Sequence, residues 1–370
     1  MHNPRRTRWT GTFVAAGALG VVALVAPAGS VGAATDDTYQ VRNLVSDVPG
    51  LAQVTDPHLV NPWGVSFSGT SPLWVSDNEK DVATLYAGGV HGGTQTINPL
   101  VVNIPGGAPT GQVSNPTTSF VVHASDGSSA PARFLFVGES GHLSGWAPNV
   151  PPPPPSTQAQ DAVVTPGAVL KGMAMGQTED GPMLYVADFS AGTVDVYNGL
   201  FQRVITAGNF QDRRLPDGFA PFNVAVLGGK VYVAYAKTDA DREDEVAGAG
   251  LGRLDVFSLD GRLLDRADGH GLLNAPWGLA IAPAGFGAFS GDLLVGNFGD
   301  GRIHAFDPGT LAPTGVVRGE DGRPISIDGL WALQPGNGTE GGTDEVLFTA
   351  GPQDESHGLL GSLSVVTDGS

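Results

Sequence analysis

From residue 60 onward the chain is built of short apolar runs, each stopped by a Gly, Asp, Asn or Pro. Leu73-Trp74-Val75-Ser76-Asp77, Leu135-Phe136-Val137-Gly138-Glu139 and Leu184-Tyr185-Val186-Ala187-Asp188 are of one kind. So are Val231-Tyr232-Val233-Ala234-Tyr235, Leu293-Leu294-Val295-Gly296-Asn297 and Val346-Leu347-Phe348-Thr349-Ala350. Short runs rich in β-branched and aromatic residues between turn formers read as strands. A third run follows, as in Thr193-Val194-Asp195-Val196-Tyr197 and Arg302-Ile303-His304-Ala305-Phe306. A common start precedes each group. Asn61-Pro62-Trp63-Gly64-Val65 returns as Ala275-Pro276-Trp277-Gly278-Leu279. Looser copies are Asn115-Pro116-Thr117-Thr118, Leu170-Lys171-Gly172-Met173, Ala220-Pro221-Phe222-Asn223-Val224 and Ile327-Asp328-Gly329-Leu330. Taking Gly64, Thr118, Gly172, Asn223, Gly278 and Gly329 as equivalent puts them 51 to 55 residues apart.

Three strands plus a fourth, repeated about every 50 residues, are the signature of a β-propeller. The expectation is an all-β, six-bladed β-propeller with four-stranded antiparallel blades, forming one domain over 35–370. The blades are placed at 61–104, 115–165, 168–207, 221–267, 275–318 and 327–366 plus 39–46. The sixth unit runs out of chain after three strands, and 39–46 has no partner of its own. That N-terminal strand is expected to complete the last blade and close the ring, which hides two sheet edges.

Composition narrows the chemistry. With no Cys, a disulfide framework, a thiolate metal site and a Cys nucleophile are excluded. The 37 acids against 19 bases give a formal charge of −18, which disfavours nucleic acid and anionic membrane surfaces as partners. Residues 1–34 read as a secretory signal: Arg5, Arg6 and Arg8, an apolar stretch over 13–26, then Val31-Gly32-Ala33 before Ala34. The paired Arg5-Arg6 also allows the twin-arginine route, although the flanking residues match that signal weakly. The apolar stretch stops at Pro27, short for a membrane span. The expected product is a secreted monomer without a span.

Strands alternate direction within a blade, so first-strand starts, second-strand ends and the loops between second and third strands share one mouth of the ring. Starts contribute Asn61, Trp63, Asn223, Trp277 and Asp328. Ends contribute Asp77, Asn78, Glu139, Asp188 and Asn297. Loops add Asp239, Asp241, Glu243, Asp244, Asp354, Glu355 and His357. Converging oxygens suit Ca²⁺ or another divalent cation, or a polyhydroxylated ligand. Asp and Asn after a strand also cap tight turns with their own side chains. Asp239, Asp241 and Glu243 alternate as at the start of a calcium loop, without its Gly, and read either as a metal site or as a solvated acidic loop. Trp63 and Trp277 either stack on a sugar or pack between blades. His357 is either a ligand or base or a surface hydrogen-bonding group. The 151–155 proline run reads as a stiff loop, or as a ligand for a proline-reading partner. There is no H-E-x-x-H, no G-x-S-x-G and no phosphate-binding glycine loop.

As a set, Asn61 to Gly64, Trp74 to Asn78, Tyr235 to Asp241, Gly250 to Phe257, and Gly351-Pro352 with Glu355 and His357-Gly358-Leu359 resemble one family. It is a group of exported bacterial propellers, some carrying a C-terminal PEP-CTERM sorting tail. The resemblance covers 39–366 and implies the fold and export, without a mechanism. The chain ends at Ser370 without such a tail, so simple release is expected. More distantly, the chain is similar to NHL-repeat and gluconolactonase/senescence-marker propellers. Phe222-Asn223-Val224 and Asp328-Gly329-Leu330 resemble the metal-bearing strand starts of the latter, whose acidic ligand falls at Asn61, an amide here. Three readings stay open. The first is a non-catalytic scaffold binding a small molecule, glycan or protein at the acidic mouth. The second is a metal-dependent, lactonase-type hydrolase using Asp188, Asn223 and Asp328. The third is a cell-envelope interaction scaffold using loops and the proline run.

Overall fold

The computed structural model describes residues 37–267, 269 and 271–366. The leader read at 1–34 lies outside the described residues. Among the described residues the chain is nearly all β and forms a six-bladed propeller of small antiparallel sheets. In blade 1 the order is Pro62–Ser66, Leu73–Asp77, Val82–Gly88, Gln95–Asn103. Blades 3 to 5 repeat this simple meander from first strands Leu170–Thr178, Phe219–Leu227 and Pro276–Ile281. Blade 4 carries an extra strand, Glu245–Val246, which pairs back onto Lys237 and Thr238 and folds the acidic insert over one end of the ring. In blade 6, Leu330–Pro335, Val346–Ala350 and Leu359–Val365 are followed by Tyr39–Ser46. That strand runs antiparallel to the third, from Tyr39 opposite Val365 to Ser46 opposite Leu359.

Blade 2 departs from the expected boundary. Its first strand is Pro109–Ser114, upstream of 115. The Asn115-Pro116 motif instead leads into an inserted hairpin, Val121–His123 against Ser129–Pro131. Asn115 ties off that insert, its amide donating to the carbonyls of Ser119 and Ala132. The true counterpart of Gly64 is therefore Gly111. In blade 6 it is Ala332 rather than Gly329, because Trp331-Ala332 occupies the register of Trp63-Gly64.

Close packing of the first strands explains the small residue at that position. A Cβ on Gly64 would lie 2.4 Å from the carbonyl oxygen of Thr110 in the next blade, so any side chain there would push two strands apart. Polar side chains then staple blade to blade. Gln112 donates to the carbonyls of Gly64 and Trp74, and Thr110 to that of Leu170. Asn223 donates to that of Trp277, and Thr349 to that of Trp63. Each is a buried hydrogen bond worth about 1 kcal/mol net, and costly to leave half-made.

The residues just before the small position line up around the axis: Trp63, Thr110, Lys171, Phe222, Trp277 and Trp331. The aromatic ones form a plug. Trp63 stacks on Trp331 at 3.5 Å between ring centroids, and Phe298 stacks on the same ring at 4.0 Å. Trp277 meets both Trp63 and Trp331 edge-on at 6.0 Å. Such pairs add about 0.5–1.5 kcal/mol each beyond the area they bury. The plug divides the axis into two ends of different chemistry.

Candidate functional site: an acidic mouth around a buried lysine

Lys171 opens the first strand of blade 3 and is 1% exposed. A buried ammonium is costly unless it is paired and hydrogen-bonded. Its Nζ donates to Glu139 Oε1 at 2.5 Å, from blade 2, and lies 3.7 Å from Asp244 Oδ1 in the blade 4 insert. Below, it faces the rings of Trp63 at 5.1 Å and Phe189 at 5.7 Å, a cation–π floor.

From Glu139 the contacts continue around the mouth. Asn78 Nδ2 donates to Glu139 Oε2 at 3.1 Å. Asn61 Nδ2 lies 3.5 Å from Asn78 Oδ1 and donates to Glu355 Oε2 at 2.7 Å. Trp331 Nε1 donates to Asn61 Oδ1 at 2.9 Å and ties this circuit to the plug. Glu245 completes it electrostatically, between Lys171 and Glu355. Five blades thus contribute to one ring of side chains.

The backbone holds these groups in strained conformations. Asn61 has φ 47°, and Gln353, Asp354 and Glu355 have φ 58°, 53° and 63° in succession. Asn and Asp enter this region readily, but for Gln353 and Glu355 it costs roughly 1–2 kcal/mol each, and such strain gathers at functional sites. The turn is held by Gln353 N donating to Asp328 Oδ2 at 2.8 Å. His357 lies beside it, its Nδ1 2.8 Å from Asp47 Oδ2, while its carbonyl accepts from Asn61 N.

Electrostatics follow from this geometry. Burial alone would lower the Lys171 pKa. Glu139, Glu245 and Asp244 outweigh it and hold the ammonium well above the usual lysine range. Glu245 is pushed up to about 7, first by desolvation and further by Glu355, with Lys171 opposing. The mouth therefore holds four carboxylates against one lysine, and one of the four titrates near neutrality.

Of the residues expected at the mouth, Asn61, Asn78, Glu139, Asp244 and Glu355 join this circuit. Asp328 and His357 brace it. The others are used elsewhere. Asp77 is fully buried in blade 1, its Oδ2 accepting from Thr84 Oγ1 at 2.7 Å, and desolvation pushes its carboxyl well up. Asp188 caps its own turn by accepting from Ser190 Oγ and Ala191 N, both at 2.9 Å. Asn297 bonds the backbone of Leu272 and Asn274. Asn223 staples blades 4 and 5, and Trp63 belongs to the plug. Asp188, Asn223 and Asp328 are thus committed to separate partners. Asp239 accepts from Glu243 N and Asp244 N within its loop, and Asp241 and Glu243 are exposed. Among the described residues no three His, Asp or Glu side chains are grouped so as to hold a metal ion. No helix among them is long and apolar enough to cross a membrane.

Lys171 and Glu245 were not anticipated. Lys171 did carry a signal: it stands where four of the other five repeats place Trp63, Phe222, Trp277 and Trp331. A lysine in an aromatic register needs carboxylates brought to it. Glu245 looked like one more acid in a solvated loop, and only the pairing of Glu245–Val246 onto blade 4 brings it inward.

No family model matches the chain. Its sequence is 32% identical over 355 residues to the uncharacterized protein R648 of Acanthamoeba polyphaga mimivirus, across 94% of this chain and 85% of the viral protein. Among solved structures, a streptogramin B lyase aligns over 89% of this chain and 98% of its own length, with 9% identity and a TM-score of 0.46. A gluconolactonase from Xanthomonas campestris aligns over 64% of this chain and 83% of its own, with 14% identity and a TM-score of 0.39. The match to the viral protein spans nearly the whole propeller, and the chain belongs to the family of mimivirus protein R648.

Proposed function

We propose that this propeller is an exported, non-catalytic binding protein that takes a cationic ligand, an amine or a basic peptide segment, at its acidic mouth. One observation carries the reading: Glu139, Glu245 and Asp244 face a single buried ammonium and Glu355 stands close enough to act on Glu245, so the mouth carries more negative than positive charge. A cation is favoured over a sugar because the two tryptophans that could stack on a sugar ring, Trp63 and Trp277, are 2% and 4% exposed. Export rests on the leader at 1–34.

Calorimetric titration with spermidine tests the binding. The expected result is saturable binding that weakens with salt, as exposed charge pairs do. Affinity strengthens from pH 6 to 8 as Glu245 gives up its proton. Glu139→Gln and Glu355→Gln each weaken it by roughly tenfold, the worth of a hydrogen bond to a charged group. Binding indifferent to salt and to both substitutions would sink the proposal.

A further inference from the structure

Two cavities lie apart from the mouth. One is axial, on the far side of the plug from Lys171, about 290 Å³ in volume and lined by the first strands without an ionisable group. The other, of about 460 Å³, is charged. It lies between the linker that leaves blade 3, which supplies Asp212 and Arg214, and the outer half of blade 4. There the third strand, Gly252–Ser258, supplies Arg253 and Asp255, and the fourth, Leu263–Arg266, supplies Asp265 and Arg266. Side chains two apart on a strand share a face, so Arg253 and Asp255 stand together. Arg266 is the ladder partner of Asp255 and joins them. Three arginines thus line one pocket of a chain in which 37 acids face 19 bases.

The acids of this pocket are already engaged. Asp212 Oδ2 accepts from Arg266 Nε at 2.6 Å, and Asp212 Oδ1 accepts from Arg266 Nη2 and, at 2.8 Å, from the backbone N of Arg214. Asp265 Oδ1 accepts from Arg266 N at 2.8 Å. Asp255 is buried, and its carboxyl is pushed up to about 7, first by desolvation and next by Asp212, with Arg266 and Tyr235 opposing, so at pH 6 it is largely protonated. Two of the guanidiniums keep donors to spare. Arg253 lies 4.7 Å from the centre of the Phe219 ring and gives Nη1 to the carbonyls of Gly250 and Gly252, at 2.7 and 2.6 Å. Those glycines stand outside the wall of this pocket, which Arg253 itself lines, so the held edge is turned away from it. The other edge, Nε with Nη2, is the fork that grips a carboxylate by two parallel bonds, and it bonds to none of the described residues. Arg214 is exposed, and its guanidinium makes no hydrogen bond or ion pair among the described residues.

We infer that this pocket is a second binding site, for a small organic carboxylate. The fork of Arg253 takes the carboxylate, Arg214 supplies a second guanidinium from the linker wall, and the apolar body of the ligand lies against Leu215, Pro216 and Ala267. Arg253 is held on one edge and stacked on Phe219, so little of its freedom is lost on binding. A cation is refused, because the acids here already have their partners and the unused groups are donors. The volume falls within the usual range of small-molecule pockets, about 300–1,000 Å³. The site prefers the opposite charge to the acidic mouth and does not depend on a ligand there.

Benzoate is a probe of this chemistry, with benzamide as its neutral counterpart of similar shape and inorganic phosphate as an oxyanion without an apolar body. Calorimetry on the purified protein at pH 6 should show saturable benzoate binding with Kd of about 1 mM or tighter. Benzamide should bind at least about tenfold more weakly, because it offers no charge to the two guanidiniums. Phosphate should also bind more weakly, since it leaves the apolar wall uncovered. Arg253→Lys keeps the charge and loses the fork, and should weaken benzoate by about 3- to 10-fold. Arg214→Ala should weaken it to a similar degree and leave the melting temperature unchanged, because that exposed side chain has no bond to the described protein to lose; it keeps the test open if Arg253→Lys fails to fold. Saturating spermidine should leave benzoate binding intact, so the pocket and the mouth succeed or fail separately. No saturable benzoate binding, benzamide or phosphate bound as tightly as benzoate, or unaltered affinity in both variants would each overturn the inference.

Discussion

The two ends of the axis are made from the same six strands yet share almost no chemistry. At the mouth, side chains come from strand starts and loops, and they are charged: Lys171, Glu139, Glu245, Glu355. At the opposite end the lining is backbone edge, amide, hydroxyl and thioether, without one ionisable group. The difference follows from where each residue sits. Loops reach water and can bring a carboxylate inward from a solvated base, as the blade 4 insert does with Glu245. First strands are pressed so tightly together that a Cβ on Gly64 would strike the next blade. A charge there would find neither water nor a partner. The plug lets both environments persist a few residues apart.

The most forceful way to break this comparison is to remove the plug. Trp331 is fully buried, stacks on Trp63 and Phe298, and bonds Asn61 at the mouth. Trp331→Ala should cost about 3–5 kcal/mol, the usual range for a buried aromatic truncated to Ala, measured as a fall in urea midpoint. It should also weaken spermidine binding, because Asn61 loses the bond that holds it at the mouth. Lost stability with unchanged spermidine affinity would mean that the plug supports the fold without shaping the mouth.

A smaller effect isolates the mouth. Lys171→Met keeps the stem and removes the charge that compensates Glu139 and Asp244. Removing one partner of a buried pair costs about 3–5 kcal/mol. Here the carboxylates keep some contact with water, and about 2 kcal/mol is expected. The loss should be larger at pH 8 than at pH 6, because the orphaned acids can take up protons at the lower pH. A loss of equal size at both pH values would show that Lys171 acts through packing alone.

The same contrast explains what was legible in the sequence. Six units were readable because each repeats a short start and an apolar run at near-constant spacing. The boundary of blade 2 was not, because the inserted hairpin carries its own Asn-Pro sequence, while the strand that counts, Pro109–Ser114, is Gly- and polar-rich. At the site, Asn61, Asn78, Glu139, Asp244 and Glu355 were found from topology alone. Asp77 and Asp188 share the strand-end position of Glu139, but their side chains turn into the sheet or cap a turn. Position in the repeat fixes which end of the ring a residue occupies. It does not fix which way the side chain points, and that decided which acids reach Lys171. The uncharged cavity had no motif at all: its signature is the absence of charge along six first strands.

The finest probe of the comparison is the pH dependence of stability. Glu245 at the mouth, Asp255 in blade 4 and Glu340 beside Gly88 are each pushed up to about 7, chiefly by burial. Their ordinary values are 4.5, 3.8 and 4.5. Between those values and pH 7 the folded protein keeps protons that the unfolded chain has released. Stability from these groups is therefore full at the acid side of that window, falls as pH rises through it, and levels off above. The melting temperature should be higher near pH 5.5 than at pH 8. Glu245→Gln removes one contributor and should flatten the slope by the equivalent of about 1 kcal/mol, after discounting for the group's contact with water. Ser66→Ala, at the end with nothing to titrate, should leave the slope untouched. If Ser66→Ala changed it as much as Glu245→Gln did, the two ends would be electrostatically coupled through the plug, and the separation of a charged mouth from an uncharged cavity would be wrong.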